Sequence, residues 1–149
     1  MKLHHVDLSY DSSLLINELH NTKMYDSKFY GPAKVDTWLK GTVLQEAPEV
    51  NRLKNKLPNT ILAAFFIQPA GTVVVPHKDS KCGCSLNILL NDADAPIIIE
   101  GEKFNYKCAL INVSQYEHEV PASPKDRYLL RYTFAEPFEI IKPLLSNLS

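Results

Sequence analysis

The sequence predicts a mainly β protein, a sandwich or jelly roll with helices at its N-terminal end. Two helical patterns come before the strands and do not alternate with them, which argues against a parallel α/β sheet. From residue 60 onward, turn-rich stretches separate short apolar segments that are typical of strands. The predicted strands cover residues 61–69, 71–77, 85–90, 96–100, 103–106, 109–113, 118–121 and 127–134.

The elements that precede these strands can be located from capping and stop signals. Residues 3–9 are predicted to form a short first strand. The run Asp11-Ser12-Ser13 offers an N-cap for a first helix, because leucine and isoleucine follow it at helical spacing. A second helix is predicted over residues 46–57, with Pro48 in its first turn and Pro58 ending it.

Length and composition indicate one ordinary globular domain. The chain has 149 residues, 45% of them hydrophobic, and a formal net charge of −1. We divide it into a helical N-terminal part (residues 1–59), a strand core (residues 60–134) and a C-terminal tail (residues 135–149). The basic residues are scattered, so neither nucleic acid nor a membrane surface is an expected partner.

The expected location is cytoplasmic. The N-terminal segment lacks the apolar centre of a signal peptide, and no apolar run approaches the roughly 20 residues that span a bilayer. The three cysteines make an odd count and predict reduced thiols rather than a disulfide framework.

Four residues carry the strongest functional signal. His77 and Asp79 form a His-x-Asp pair, His118 follows, and Arg127 comes nine residues after it. Two imidazoles and one carboxylate are the ligands of the facial triad that holds non-haem Fe(II) and leaves coordination positions open. Arginine binds carboxylates through paired, charge-assisted hydrogen bonds, so it is suited to an acidic co-substrate.

Strand alternation predicts where these side chains point. Val73, Val75, His77 and Asp79 fall on one face of the second predicted strand.

The last predicted strand has two different faces. Its even positions are bulky and apolar and need a core, which we place under the N-terminal helices. Its odd positions, which include Arg127 and Arg131, then face the interior of the sandwich. A buried arginine there implies an anionic guest or an acidic partner.

The segment from about residue 60 to 134 resembles the double-stranded β-helix, a cupin-like jelly roll, of the Fe(II)/2-oxoglutarate-dependent dioxygenases. PHKDSKCGCSLNILLND resembles the first ligand strand and the strand after it. CALINVSQYEHEVPASPKDRYLLRYTF resembles the closing segment with the second histidine and the arginine. Within the superfamily, the prolyl-hydroxylase-like and aspartyl/asparaginyl-β-hydroxylase-like branches are the most similar.

The resemblance implies a role for each matching residue. His77, Asp79 and His118 would bind Fe(II), and Arg127 would hold the distal carboxylate of 2-oxoglutarate. Asn87 would be a further polar contact to co-substrate or substrate. Arg131 is the rival to Arg127, because Leu129 stands where some members carry a hydroxyl residue, whereas Arg131 has Thr133 two positions later.

Two further departures from the family pattern stand out. Cys108 occupies a position that is often glycine, and the interval between the two histidines is short.

The implied activity is hydroxylation of an unactivated C–H bond with O2. The substrate would be either a small molecule, such as a free amino acid, or an amino-acid residue within a peptide. Residues 21–45 and 91–95 are expected to shape the mouth of the site.

Three other interpretations remain open from the sequence alone. The chain could be a non-catalytic jelly-roll interaction module, or a cupin-like metal enzyme that does not use 2-oxoglutarate. Cys82 and Cys84, with His77 nearby, could also form a thiolate zinc site, although their spacing is not the usual one.

Overall fold

The computed structural model describes residues 1–27, 38–42, 46–91, 96–146 and 148. The described strands are β1 (Leu3–His5), β2 (Tyr25–Ser27), β3 (Trp38–Thr42), β4 (Leu62–Gln68), β5 (Val74–His77), β6 (Cys84–Leu89), β7 (Ile97–Ile99), β8 (Glu102–Phe104), β9 (Cys108–Ile111), β10 (His118–Val120) and β11 (Arg127–Phe134). The described helices are α1 (Ser12–His20), α2 (Pro48–Lys54) and α3 (Phe138–Leu144).

The strands form two antiparallel sheets. The larger sheet has the order β1-β9-β6-β11-β4-β3-β2, and the smaller has the order β5-β10-β7-β8. Each of the eight strands predicted from residue 60 onward is present, with ends shifted by up to three residues. The segment of sequence between α1 and α2 also contains β2 and β3, which extend the larger sheet and were not predicted.

Two apolar layers hold the molecule together, one on each face of the larger sheet. The outer layer packs the larger sheet against the helices, through side chains such as Leu15 of α1, Leu53 of α2 and Phe138 of α3. The inner layer lies between the sheets and includes Val74, Ile99 and Ile111. The interior of the sandwich also contains buried polar side chains from several strands, among them Gln68 of β4, Asn87 of β6, His118 of β10 and Arg127 of β11.

β11 has two different faces, as its alternation predicted. Leu130, Tyr132 and Phe134 are fully buried in the helix-facing layer. Tyr132 also donates a hydrogen bond from its hydroxyl to the carbonyl oxygen of Val50, at 2.6 Å, which ties β11 to α2. The opposite face of β11 sends Arg127 and Arg131 between the sheets.

The C-terminal segment contains a helix that was not predicted from the sequence. Within residues 135–149, α3 buries Phe138 and Ile141 almost completely against the outer layer. Pro143 lies inside this short helix. No helix in the described part of the chain has the length and apolar content needed to cross a membrane.

A buried carboxylate joins the two N-terminal helices. Glu18 of α1 is 8% exposed. Its oxygens accept hydrogen bonds from the backbone N–H groups of Glu49 and Val50, at 3.0–3.1 Å. Since α2 has no side-chain cap of its own, Glu18 satisfies N–H groups that the helix cannot pair internally.

Replacing Glu18 with glutamine tests this contact. We expect Glu18→Gln to lower the free energy of unfolding by about 1–3 kcal/mol, because a buried amide donor then faces the N–H groups of α2. Denaturant unfolding measures the change. Glu46→Gln, an exposed glutamate just before α2, is the matched control and should be neutral within about 0.5 kcal/mol. Equal stability of the two variants would contradict the capping role.

Candidate metal centre

The pairing of β5 with β10 brings the two histidines side by side. His118 lies directly opposite His77 in the register, and their ring centroids are 4.2 Å apart. Asp79 follows β5 in a turn that backbone hydrogen bonds fix at both ends. The Asp79 N–H donates to the carbonyl oxygen of Val113 at 2.9 Å, and the Gly83 N–H donates to the carbonyl oxygen of Phe134 at 2.8 Å. The three side chains are therefore held by backbone hydrogen bonds of both sheets.

A β-bulge in β5 changes the faces that simple alternation predicted. His118 pairs with His77 and Val120 pairs with Val74, so three steps along β5 match two along β10. The extra residue turns Val74 toward the same cavity as His77, whereas alternation placed them on opposite faces. Val73, expected beside His77, is instead 38% exposed.

The ligand atoms lie at distances suited to one metal ion. Asp79 Oδ1 is 3.1 Å from His77 Nε2 and 3.4 Å from His118 Nε2. All three atoms lie within 4.8 Å of one another. Ligands about 2.1 Å from a metal and at right angles to each other are about 3.0 Å apart. The group therefore fits a small divalent cation with little rearrangement.

Backbone carbonyls fix the orientation of both imidazoles. His77 Nδ1 is 2.7 Å from the carbonyl oxygen of Val75, and His118 Nδ1 is 3.2 Å from that of Tyr116. A carbonyl oxygen only accepts, so each Nδ1 is the donor and, in the neutral ring, Nε2 carries the lone pair. Both Nε2 atoms then face a carboxylate oxygen. Three converging lone pairs need a positive charge between them, either a metal ion or protons on the rings.

Asp79 is ionised in this environment. Burial by itself would raise its pKa, but hydrogen bonds with His118 and His77 and the charge of Arg131 outweigh burial and hold the pKa well below its usual range. Arg131 Nη2 donates to the second carboxylate oxygen, Oδ2, at 2.5 Å. The carboxylate thus presents one oxygen to the imidazoles and the other to a guanidinium group.

Arg127 occupies the deeper part of the same cavity. It is 4% exposed, and its Nη2 donates to the hydroxyl of Tyr106 at 3.0 Å. Its Nε is buried without a hydrogen-bond partner, and no carboxylate of the described residues forms an ion pair with it. A buried guanidinium without a counter-charge is costly, so this end of the cavity is suited to an anion.

Asn87 lies beside the same tyrosine hydroxyl. Asn87 is 7% exposed, accepts a hydrogen bond from the hydroxyl of Ser85 at 3.1 Å, and donates from Nδ2 to Tyr106 at 3.4 Å. The Tyr106 oxygen therefore accepts from both Asn87 and Arg127, and its own proton is left to donate. A carboxylate placed near Arg127 would accept it.

The cavity that joins these groups is small and largely apolar. It encloses about 100 Å³ between the sheets. Its walls contain Phe66, Gln68, Val74, His77, Asp79, Asn87, Ile97, Tyr106, Val113, His118, Val120, Arg127, Leu129 and Arg131. Every residue that the sequence proposed for metal or co-substrate binding lines this one space. Residues 28–37, 43–45 and 92–95, part of the expected mouth, lie outside the described residues.

Sequence reasoning missed Tyr106 and Gln68. Gln68 is opposite Arg127 in the register of β4 and β11, and alternation along the predicted strand 61–69 places it on the cavity face. Tyr106 follows β8 and had no comparable signal, because only the folded sheets bring it to Arg127.

The thiolate zinc site is not formed. The metal-ligand group found among the described residues contains His77, Asp79 and His118 and no cysteine. Cys84 is buried in β6, where desolvation raises its pKa to about 12 and favours the neutral thiol. Cys82 lies 3.8 Å from Arg131 Nη2, and burial raises its pKa as well.

Solved structures resemble this chain over most of its length. No protein-family model matches the sequence, and no curated protein matches it. A Pseudomonas putida prolyl-4-hydroxylase has 13% identity and a TM-score of 0.67, with 90% of this chain and 91% of that chain covered. A Trichoplax adhaerens prolyl hydroxylase in complex with a hypoxia-inducible-factor peptide has 11% identity and a TM-score of 0.68, covering 97% and 86%.

The name of a third similar structure gives a protein family rather than a specific enzyme. A 2OG-Fe(II) oxygenase family oxidoreductase from Burkholderia pseudomallei has 10% identity and a TM-score of 0.65, with 81% of this chain and 76% of that chain covered. At such identities the likeness concerns the fold. The chain therefore has the predicted double-stranded β-helix, the jelly-roll fold that these oxygenases share.

Proposed function

We propose that this protein is an Fe(II)- and 2-oxoglutarate-dependent dioxygenase that hydroxylates an unactivated C–H bond. The observation that carries the proposal is that one cavity is lined both by three converging ligand atoms and by a buried arginine that pairs with no carboxylate of the described residues. The three ligands are the set that holds non-haem Fe(II) in oxygenases. The shared fold supports the proposal.

Each cavity residue has a role in this proposal. His77, Asp79 and His118 would hold the metal, with backbone carbonyls keeping both imidazoles in the ligating tautomer. Arg127 and the Tyr106 hydroxyl would bind the distal carboxylate of 2-oxoglutarate, with Asn87 orienting Tyr106. The bound metal would supply the oxidising chemistry with O2 and 2-oxoglutarate, yielding hydroxylated product, succinate and CO2.

The apolar wall would exclude water from the reacting groups. Val74, Val120 and Leu129 line the same cavity as the three candidate ligands. A dry site strengthens the pairing of Arg127 with its carboxylate and protects the reaction from side products. The proposed substrate is a peptidyl or free amino acid, because two of the similar structures are prolyl hydroxylases, one with a bound peptide.

Two alternatives differ from this proposal in a measurable way. A cupin-like enzyme without 2-oxoglutarate would bind Fe(II) but would leave Arg127 unexplained. A non-catalytic jelly-roll module would have no need for three metal-ligand atoms on a common centre. The donor set and the buried arginine together favour the dioxygenase.

Removing one ligand should abolish metal binding. We expect His118→Ala to lower Fe(II) affinity by at least 100-fold under anaerobic calorimetry, because the triad loses one of its three ligands. His5→Ala removes an exposed histidine of β1 and should bind Fe(II) like the wild type. Comparable Fe(II) affinity in His118→Ala and the wild type would exclude this site.

Arg127 should control the co-substrate and not the metal. Arg127→Ala is expected to keep Fe(II) but weaken 2-oxoglutarate binding by about 2–5 kcal/mol, since a buried charge-assisted pair is lost. That loss corresponds to a rise in Kd of roughly 30-fold or more. Lys125→Ala, in the exposed turn before β11, is the control. If Arg131→Ala weakened 2-oxoglutarate binding and Arg127→Ala did not, the assignment of the carboxylate site would be wrong.

Metal binding should weaken in acid through the imidazoles. Protons compete with the metal for His77 and His118, whereas the lowered pKa of Asp79 keeps its carboxylate ionised. We therefore expect the metal affinity to fall by up to about 100-fold per pH unit in acid, the limit for two competing protons. Calorimetry in two buffers of different ionisation enthalpy measures the protons released. A pH-independent affinity would contradict imidazole ligation.

A further inference from the structure

Arg131 has no part in the roles assigned above, although it lines the same cavity. Its Nη2 lies 2.5 Å from Asp79 Oδ2, while Asp79 Oδ1 faces both imidazoles. The two carboxylate oxygens therefore have different partners. We propose that Arg131 is a positioning residue that holds Asp79 as a ligand through a single oxygen and keeps the second oxygen away from the metal.

The backbone register makes this contact specific to Arg131. Arg131 lies on β11 between Asn87 of β6 and Ala64 of β4, and the small Ala64 side chain leaves the guanidinium room to reach the turn after β5. Arg127 is four residues earlier on the same strand, roughly 13 Å away along the chain at the usual rise per residue. The two arginines thus serve opposite ends of the cavity.

The contact is also well supported physically. Arg131 is 19% exposed and Asp79 is 16% exposed, so the pair is largely shielded from water. Charge-assisted hydrogen bonds of this kind are short and about twice as strong as neutral ones. Arg131 donates to Oδ2, whereas both imidazoles contact Oδ1, so the pairing leaves Oδ1 available to a cation.

The denticity of Asp79 decides how many coordination positions remain. In an octahedral site with three protein ligand atoms, three positions are left for exogenous ligands. If Asp79 bound through both oxygens, only two would be left. A chelating co-substrate takes two positions, so O2 would have none. On the proposed function, Arg131 would thereby keep one coordination position of the bound metal open for O2.

Counting the water molecules on a bound metal tests this role without turnover. Mn(II) is the probe, because proton relaxation of water reports the number of exchangeable waters on it. We expect Arg131→Met, which keeps the length of the side chain but removes its donors, to bind Mn(II) with one water fewer than the wild type. Arg131→Lys retains one charged donor and should restore the count. Lys81→Met, which removes an exposed cation of the same turn, is the control.

Turnover kinetics provide a second test of the role of Arg131. With a substrate, or with uncoupled succinate formation, Arg131→Met should lower kcat by roughly 10- to 100-fold, as loss of a group that orients a metal ligand does. The KM for 2-oxoglutarate should stay within a few-fold of the wild type. A large rise in KM with unchanged kcat would overturn the proposal and make Arg131 a co-substrate residue.

The outcomes separate this inference from the proposed function on which it rests. A wild-type protein that binds no divalent metal overturns both. Mn(II) binding with the same water count in the wild type and in Arg131→Met overturns only the role of Arg131. Loss of Mn(II) binding together with a lower unfolding midpoint in Arg131→Met would assign Arg131 to structural support and overturn the positioning role.

Discussion

Three lone pairs that converge on one point are the constraint on which the rest of the account depends. Two backbone carbonyls turn the imidazoles of His77 and His118 so that both Nε2 atoms face Asp79. Such an arrangement is stable only with positive charge at its centre. The fold supplies the opposite strands and the anchored turn that keep these groups together, because β10 pairs with β5 and the Asp79 N–H is bound to Val113.

β11 connects this centre to the stability of the whole molecule. One face of the strand buries Leu130 and Phe134 under the helices, and the other carries Arg127 and Arg131 into the cavity. A one-residue slip of β11 would therefore place both guanidinium groups in the apolar layer, at a large free-energy cost. The same packing that stabilises the sheet thus fixes the distance of each arginine from His77, Asp79 and His118.

Much of the fold and of the candidate site could be predicted from the sequence, and the features that the sequence did not predict have physical causes. The two faces of β11 and the eight strands from residue 60 onward are local periodic signals, and the structure has both. It also brings the ligand atoms of His77, Asp79 and His118, which the sequence singled out, within 4.8 Å of one another. The bulge that turns Val74 inward depends on how β5 pairs with β10, which alternation cannot reveal. Tyr106 reaches Arg127, and Arg131 reaches Asp79, across contacts between distant segments.

Anaerobic titration of the metal-free protein with Fe(II) and then 2-oxoglutarate tests the central claim most directly. The account predicts stoichiometric Fe(II) binding, followed by a visible metal-to-ligand charge-transfer band when 2-oxoglutarate chelates the metal. The band should saturate at one equivalent of each. Tight Fe(II) binding without any band would contradict the use of 2-oxoglutarate and favour a cupin-like enzyme. Failure to bind Fe(II) at all would contradict the metal centre itself.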